Sequence, residues 1–425
     1  MSVPLDRLYN FLQSLCNRDD IIIYRYYPHG SKNIADCFPV DGDIQYSDFD
    51  RIRSMHMICH DQEPLMETTA SFIHKTPKFK KSNIEYSTDP AIPTSSFKAH
   101  LNVINSVYDE MLLVHSERNS PVVSYLSTVG CRPVYYWSHA VIAGDWYRFA
   151  EHDPDLEFDP TQIKKDFLIY NRAWSGTREY RLKFAELIVK NNLATACYMK
   201  FNPIDSNMHY QQHWYKNSDF KISTELGMHF PLNETDATVS ADYVAKDYES
   251  CGIEVVLETL FDDQRNHLTE KSLRPIACGR PFIIAATPGS LAYLRSYGFE
   301  TFGEFIDESY DTITDPVSRL QAIVDVMHHV SNLPQQEKIL LWNNLNHIAQ
   351  RNRQRFFNTE FFDQVIGEFK LNLAQAIAQT QQHCSGLFYQ QWLAAQSSVP
   401  LTSKELSNIA SLINVASQSS GGGVC

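Results

Sequence analysis

Short apolar runs, each ending on a knot of polar residues and each separated from the next by a helix-length spacer, set the tightest limit on how this chain can fold. "DDIIIYRYYP" (19–28), "SMHMICHDQEPL" (54–65), "EMLLVHSERNS" (110–120) and the run 133–137 inside "CRPVYYWSH" have the β-branched and aromatic density of buried strands. The pattern restarts at "DFLIYNR" (166–172) and continues through "FKISTEL" (220–226), "IEVVLETLF" (253–261) and "RPFIIAAT" (280–287). Continuous apolar strands alternating with helices make a parallel sheet covered on both faces, so the expected class is α/β. In such sheets the loops after the strand C-termini build the ligand site. Three polar clusters fall at those ends: His29-Gly30-Ser31, His60-Asp61-Gln62-Glu63 and His115-Ser116-Glu117.

At 425 residues the chain exceeds one ordinary domain. Two α/β domains are expected, over 1–158 and 159–335, followed by a helical segment, 336–425, with a Gly/Ser-rich end. The acidic stretch "AEHDPDLEFDPTQIKKD" (150–166) lacks apolar periodicity and reads as the connection between them. A formal net charge of -13 excludes a chain that is basic all over, but leaves room for a local basic groove. The nine cysteines form no C-x-x-C pair, which argues against zinc and redox motifs and fits a reducing compartment. The first residues carry Asp6 and no long apolar core, so no secretory leader is expected, and no apolar run reaches the ~18 residues of a membrane span.

Four stretches could carry chemistry. In "FLIYNRAWSGTREYR" (167–181) a strand ends at Arg172, and a Ser-Gly-Thr loop opens a helix bearing Arg178 and Arg181 three residues apart. Loop amides, a helix start and arginines together suit a diphosphate; the same residues could make a solvated helix start. In "HLTEKSLRPIACGRPFI" (267–283) Thr269 reads as a helix N-cap, followed by Glu270 and Lys271. A carboxylate there can accept from a ribose diol and an ammonium can sit on a phosphate, or the pair can be a surface ion pair. Glu258 at a neighbouring strand end, and Gly289 in "TPGS" after the next strand, belong to the same reading. "CHDQEPL" (59–65) crowds His60, Asp61 and Glu63 at a strand end; any of them is a candidate general base, and a polar turn is the alternative. "HKTPKFKKSN" (74–83) offers Lys75, Lys78, Lys80 and Lys81 around Phe79, as a nucleic-acid contact or as an exposed loop.

"YNRAWSGTREYRLKFAELI" followed by "HLTEKSLRPIACGRPFIIAATPGSLAYLRSYGFETF" resembles the donor-binding half of GT-B glycosyltransferases, with a Thr-Glu-Lys order like that of fucosyltransferase-like enzymes. "IYRYYPHGSKN", "CHDQEPL", "VHSERNS" and "YYWSHAVIAGDW" extend the likeness to glycosyltransferases of tailed bacteriophages, over roughly residues 20–310. The resemblance implies two Rossmann-like domains facing a cleft, with a C-terminal helix returning to the first. It implies Glu270 on the donor ribose, Lys271 and Arg172 on the diphosphate with Arg178 in support, Glu258 near the nucleotide or sugar, and Gly30, Asp61 and Glu63 towards the acceptor and sugar. The implied donor is a nucleoside-diphosphate sugar, UDP-arabinose or UDP-glucose. The implied acceptor is a hydroxyl on modified cytosine in phage DNA, inside the cytoplasm of an infected bacterium. A surface glycan or protein acceptor, and an inactive nucleotide-sugar-binding virion protein, are the alternatives. Neither a cofactor nor a metal is expected, since no Asp-x-Asp pair falls in a plausible donor loop.

Overall fold

The computed structural model describes residues 21–24, 56–60, 111–120, 131–150, 154–223 and 240–380. Gly30, Asp61, Glu63, Lys75, Lys78, Lys80 and Lys81 lie outside them, and His60 closes a described strand. The chain divides into two compact units, one of residues 5–138 with 363–425, the other of 1–4 with 139–362.

The first unit holds β1 (Ile21–Tyr24), β2 (His56–His60), β3 (Met111–His115) and β4 (Cys131–Tyr135). They form a parallel sheet in the order β1-β2-β3-β4. Each crossover therefore steps to the next strand in one direction, and each parallel neighbour is reached by a long connection.

The second unit begins with α1 (Ser138–Asp145), which runs into a π-helical turn at Trp146–Ala150. Next come β5 (Lys165–Asn171), α2 (Tyr180–Lys190), β6 (Cys197–Phe201), the two-residue strands β7 (Ile204–Asp205) and β8 (Met208–His209), α3 (Ala245–Ser250) and β9 (Cys251–Leu257). The remainder is α4 (Glu270–Ala277), β10 (Phe282–Ala285), α5 (Ser290–Ser296), α6 (Pro316–Ser331) and α7 (Gln335–Phe357), before α8 (Thr359–Thr380) leads back into the first unit. The main sheet is parallel in the order β10-β9-β5-β6. Every residue of β9 is buried, which is why "IEVVL" is apolar at every position but Glu254 rather than alternating.

The run 220–226, expected as a strand, is not one where it is described. Phe220 ends a 3-10 turn, Ser218–Phe220, whose start Asn217 caps by accepting from Asp219 N at 2.9 Å. Its place in the sheet goes to β6, whose "CYMKF" mixes a lysine into the run: Lys200 is buried, with Nζ 3.6 Å from Asp247. The acidic stretch expected as a connection is tied to the second unit, by Arg280 donating to Glu157 O and by Arg353 Nε to Pro154 O at 3.1 Å. Helix ends follow their sequence signals. Asp315 accepts from Ser318 N at 2.7 Å ahead of Pro316, and Gly279 takes φ +61 to close α4.

Candidate functional site

Strand order fixes where a ligand belongs in the second unit. From β5 the chain moves outwards to β6, then returns to the other side of β5 for β9 and β10. The direction of winding switches between β5 and β9, and crevices outside the strand C-termini open at such points. Arg172 follows β5 and Glu258 follows β9, so the fold brings those two expected residues to one sheet edge.

The edge is fastened from below by α2. Tyr180 donates its hydroxyl to Glu258 O at 2.7 Å and Ala285 O at 3.2 Å. Arg181 donates to Ala173 O at 2.5 Å, Leu257 O at 2.6 Å and Glu258 O at 2.8 Å. Arg181 is therefore a buried fastener of two strand ends, those of β5 and β9, rather than a partner of Arg178 on an open helix face. The Ser-Gly-Thr loop is also spoken for in part. Asp205 Oδ2 accepts from Trp174 N at 2.8 Å and Ser175 N at 2.7 Å. Partial burial pushes the Asp205 carboxyl up, but the Ser175 and Trp174 hydrogen bonds outweigh it and hold it below its ordinary value. Arg178, half-buried on the adjoining 3-10 turn, adds to that lowering. A carboxylate of the protein thus sits on amides that sequence assigns to a diphosphate. The start of α5 is filled likewise: Gly289 N donates to Asp311 O at 2.8 Å and Leu291 N to Asp311 Oδ1 at 3.1 Å.

The start of α4 is built differently. Thr269 is its N-cap, accepting from Lys271 N at 3.3 Å, as its sequence position predicts. Beneath it lies Glu258, fully buried. Its Oε1 accepts from Thr269 N (2.9 Å), Ser272 N (3.2 Å) and Ser272 Oγ (2.6 Å); its Oε2 accepts from Thr259 N (3.1 Å) and Thr269 Oγ1 (2.8 Å). Five donors use up both oxygens. Glu258 therefore anchors the helix start instead of reaching a ligand, and the helix dipole favours its charge there.

Glu270 and Lys271 sit on top of that anchor. Lys271 Nζ donates to Glu270 Oε1 at 2.9 Å and to Thr269 Oγ1 at 3.2 Å. Glu270 Oε2 lies 3.2 Å from His139 Nδ1 on α1, at ion-pair distance though not aligned as a hydrogen bond. The His139 ring meets that of His267 edge-on at 5.0 Å. Burial pushes the Glu270 carboxyl up, but Lys271 and then His139 outweigh it and hold it well below the usual carboxylate range. Glu270 is 1% exposed, so a ligand meets its oxygens only when Lys271 or His139 gives way.

One turn further along α4, Arg274 connects the helix to Arg172. Arg172 donates to Ser240 Oγ at 3.3 Å, and Arg274 of α4 donates to Ser240 O at 2.5 Å. Arg274 also pairs with the buried Glu254 of β9, which accepts from Tyr248 OH as well, and its guanidinium lies 4.6 Å from the Tyr170 ring centre. The structure thus gathers Arg172, Glu258, Glu270 and Lys271 around one sheet edge and leaves Arg178 with Asp205. Sequence reasoning reached His139 only as part of the aromatic stretch "YYWSHAVIAGDW" and gave it no task beside Glu270, far along the chain; it missed the Glu254–Arg274 pair, whose only sequence trace is a carboxylate within an apolar strand.

Among the described residues no group of three or more His, Cys, Asp or Glu could hold a metal ion, and no helix is long and apolar enough to cross a membrane. No protein-family profile matches the chain, and no curated protein is similar to it. Among solved structures, the chain is similar to a UDP-forming alpha,alpha-trehalose-phosphate synthase from Burkholderia xenovorans. That likeness covers 87% of this chain and 86% of the other at 10% identity, with a TM-score of 0.35.

Proposed function

We propose that this protein is a GT-B-type glycosyltransferase that takes its sugar from a nucleoside diphosphate, with a UDP-sugar as donor. The observation that carries this reading is the Glu270–Lys271 pair on the anchored N-terminus of α4, at the C-terminal edge of a parallel sheet beside its switch point. Lys271 leaves Glu270 Oε1 to meet the diphosphate, and the oxygen so bared accepts the ribose hydroxyls. His139 keeps the carboxylate oriented and charged during that exchange. Arg172 and, more distantly, Arg178 add positive charge. Breaking the sugar–diphosphate bond leaves negative charge on the diphosphate, and donors fixed in advance stabilise it without a metal. Glu258 acts through Thr269 and Ser272, by holding the helix start that presents the pair.

The acceptor we propose is a hydroxyl on modified cytosine in DNA, with arabinose or glucose as the sugar and a base from Asp61, Glu63 or His60. The support is the sequence resemblance and the lysines Lys75, Lys78, Lys80 and Lys81. Incubation with a panel of UDP- and GDP-sugars, offering hydroxymethylcytosine DNA and free oligosaccharides and reading products by mass, tests both parts. A mass gain on DNA supports the acceptor, and a gain on oligosaccharide alone replaces it. No transfer from any donor to either would overturn the transferase reading. Asp61→Ala and Glu63→Ala separate base from binder: turnover with one should fall by about 100-fold or more, with donor affinity within about twofold of wild type. If both keep full turnover, the base lies elsewhere.

A further inference from the structure

The chain leaves β6 through a segment, 203–223, that stands at the C-terminal edge of the main sheet beside the Ser-Gly-Thr loop. Asp205 accepts there from Trp174 N and Ser175 N, and Ser206 Oγ lies 3.2 Å from Ser175 Oγ. Trp214 in this segment is 83% exposed, whereas Trp137, Trp174 and Trp342 are buried. We propose that Trp214 is a platform on which an unpaired base of a nucleic-acid strand stacks, with Lys216 and Lys221 meeting the phosphates of that strand. The choice of partner rests on the DNA-acceptor reading above; the platform itself rests on the geometry of the segment.

The backbone on either side of Trp214 is fastened. Glu179, buried at the start of α2, accepts from His213 Nε2 at 2.9 Å, Lys216 N at 2.8 Å and Asn217 N at 2.9 Å. Asn217 Nδ2 donates in turn to Asp262 at 2.7 Å. The His213 ring lies 5.1 Å from the Trp174 ring and 4.7 Å from the Tyr215 ring, and the Tyr215 hydroxyl is buried. Both chain neighbours of Trp214 thus pack inwards while its indole stands in water. Folding ordinarily buries so large an apolar ring, and this one adds nothing to the core. A flat ring laid on its face does gain, because every base has a π-face to stack with.

Charge bears on the partner. Lys216 and Lys221 are exposed, and neither ammonium is in an ion pair among the described residues. The cations Arg178 and Lys183 stand with Asp205 and Glu186. Asp205 and Glu179 are taken up by backbone amides, Asp262 accepts from Asn217, and Glu186 accepts from Ser223 N at 2.6 Å; Asp219 is exposed. These carboxylates leave the segment without a strong positive field, so phosphate contacts are few and stacking carries most of the affinity. A neutral glycan would leave both ammoniums unused. The exposed carboxamides Gln211 and Gln212 match the donor and acceptor edge of a base. A duplex hides its base faces, so the strand is single or has the base turned out.

Tryptophan fluorescence of the full-length protein, with no nucleotide sugar added, tests the platform. The probes are a short single strand of deoxycytidines, the same strand with hydroxymethylcytosines, and maltoheptaose as an uncharged glycan. The single strands should bind and quench. Trp214→Ala, which removes an exposed side chain and disturbs no packing, should weaken single-strand binding about 5- to 100-fold, read by anisotropy of a labelled strand. Trp214→Phe keeps a ring and should stay within about threefold of wild type while losing the quenching. Lys216→Ala with Lys221→Ala should flatten the slope of log affinity on log salt by about 1.4. Transfer of sugar to DNA together with wild-type strand affinity in Trp214→Ala overturns the platform alone. Quenching by the strands, lost in Trp214→Ala, with no transfer to DNA from any donor supports the platform and overturns the acceptor reading. Quenching by maltoheptaose but not by the strands assigns the indole to a glycan and overturns the proposal, as does binding of none of the probes.

Discussion

Arg274→Ala should lower the stability of the folded protein by about 3–5 kcal/mol, among the largest effects of any single change in the second unit. Arg274 and Glu254 are both almost fully buried, and they face each other between α4 and the central strand β9. Burial pushes the guanidinium towards losing its proton, but Glu254 and then Tyr248 outweigh that and keep it charged. Removing the arginine leaves the Glu254 carboxylate inside the sheet with Tyr248 OH as a remaining donor, strips Ser240 O of its partner, and opens space beside Tyr170. Urea unfolding at neutral pH measures the loss. Joint replacement, Arg274→Met with Glu254→Leu, should recover more than half of it, because removing both charges avoids stranding one. A single variant within about 1 kcal/mol of wild type would show that the pair contributes little beyond its own desolvation.

Glu270→Gln should weaken UDP-sugar binding by about 10- to 100-fold, the loss of one charge-assisted contact to a ribose diol. The substitution keeps size and shape, so α4 keeps its start on Thr269 and Glu258. Titration calorimetry with the best donor from the panel reads the affinity, and unchanged binding would remove Glu270 from the site. A second signature comes from acid. The folded-state carboxyl is held below its unfolded value of 4.5, so the wild type binds fewer protons than its unfolded chain in that range. The stability this contributes is fully present above pH 4.5 and is lost as pH falls through the lower folded value. Glu270→Gln has no such group, and its stability should fall less steeply than wild type below pH 4.5.

Much of the second unit was legible because its signals are local. Capping by Thr269 depends on a side chain and amides one or two residues away, and β9 announces itself by an apolar run that Glu254 alone interrupts. β6 was not legible. Its lysine disguises the strand, and only the fold supplies Asp247 to neutralise that charge. The candidate site divides in the same way. Arg172, Glu270 and Lys271 could be chosen from residue type and position, whereas the tasks of Glu258 and Arg181 could not, since both depend on which loop amides and carbonyls come to surround them.

Sequence alone determined that the chain makes parallel α/β structure, that α4 begins at Thr269, and that a carboxylate and an ammonium stand next to each other at that start. Periodicity, composition and capping act within a few residues, so they survive in one dimension. Tertiary structure decided which acids are free to meet a ligand and which serve the fold. Asp205, Glu258 and Asp311 look no different from Glu270 as letters. Three of them are consumed by backbone amides that chain crossovers bring to them, and one is held charged between Lys271 and a histidine 131 positions earlier, at 139 against 270. Desolvation and hydrogen bonding set that distinction, and both are properties of the assembled surroundings rather than of the residue.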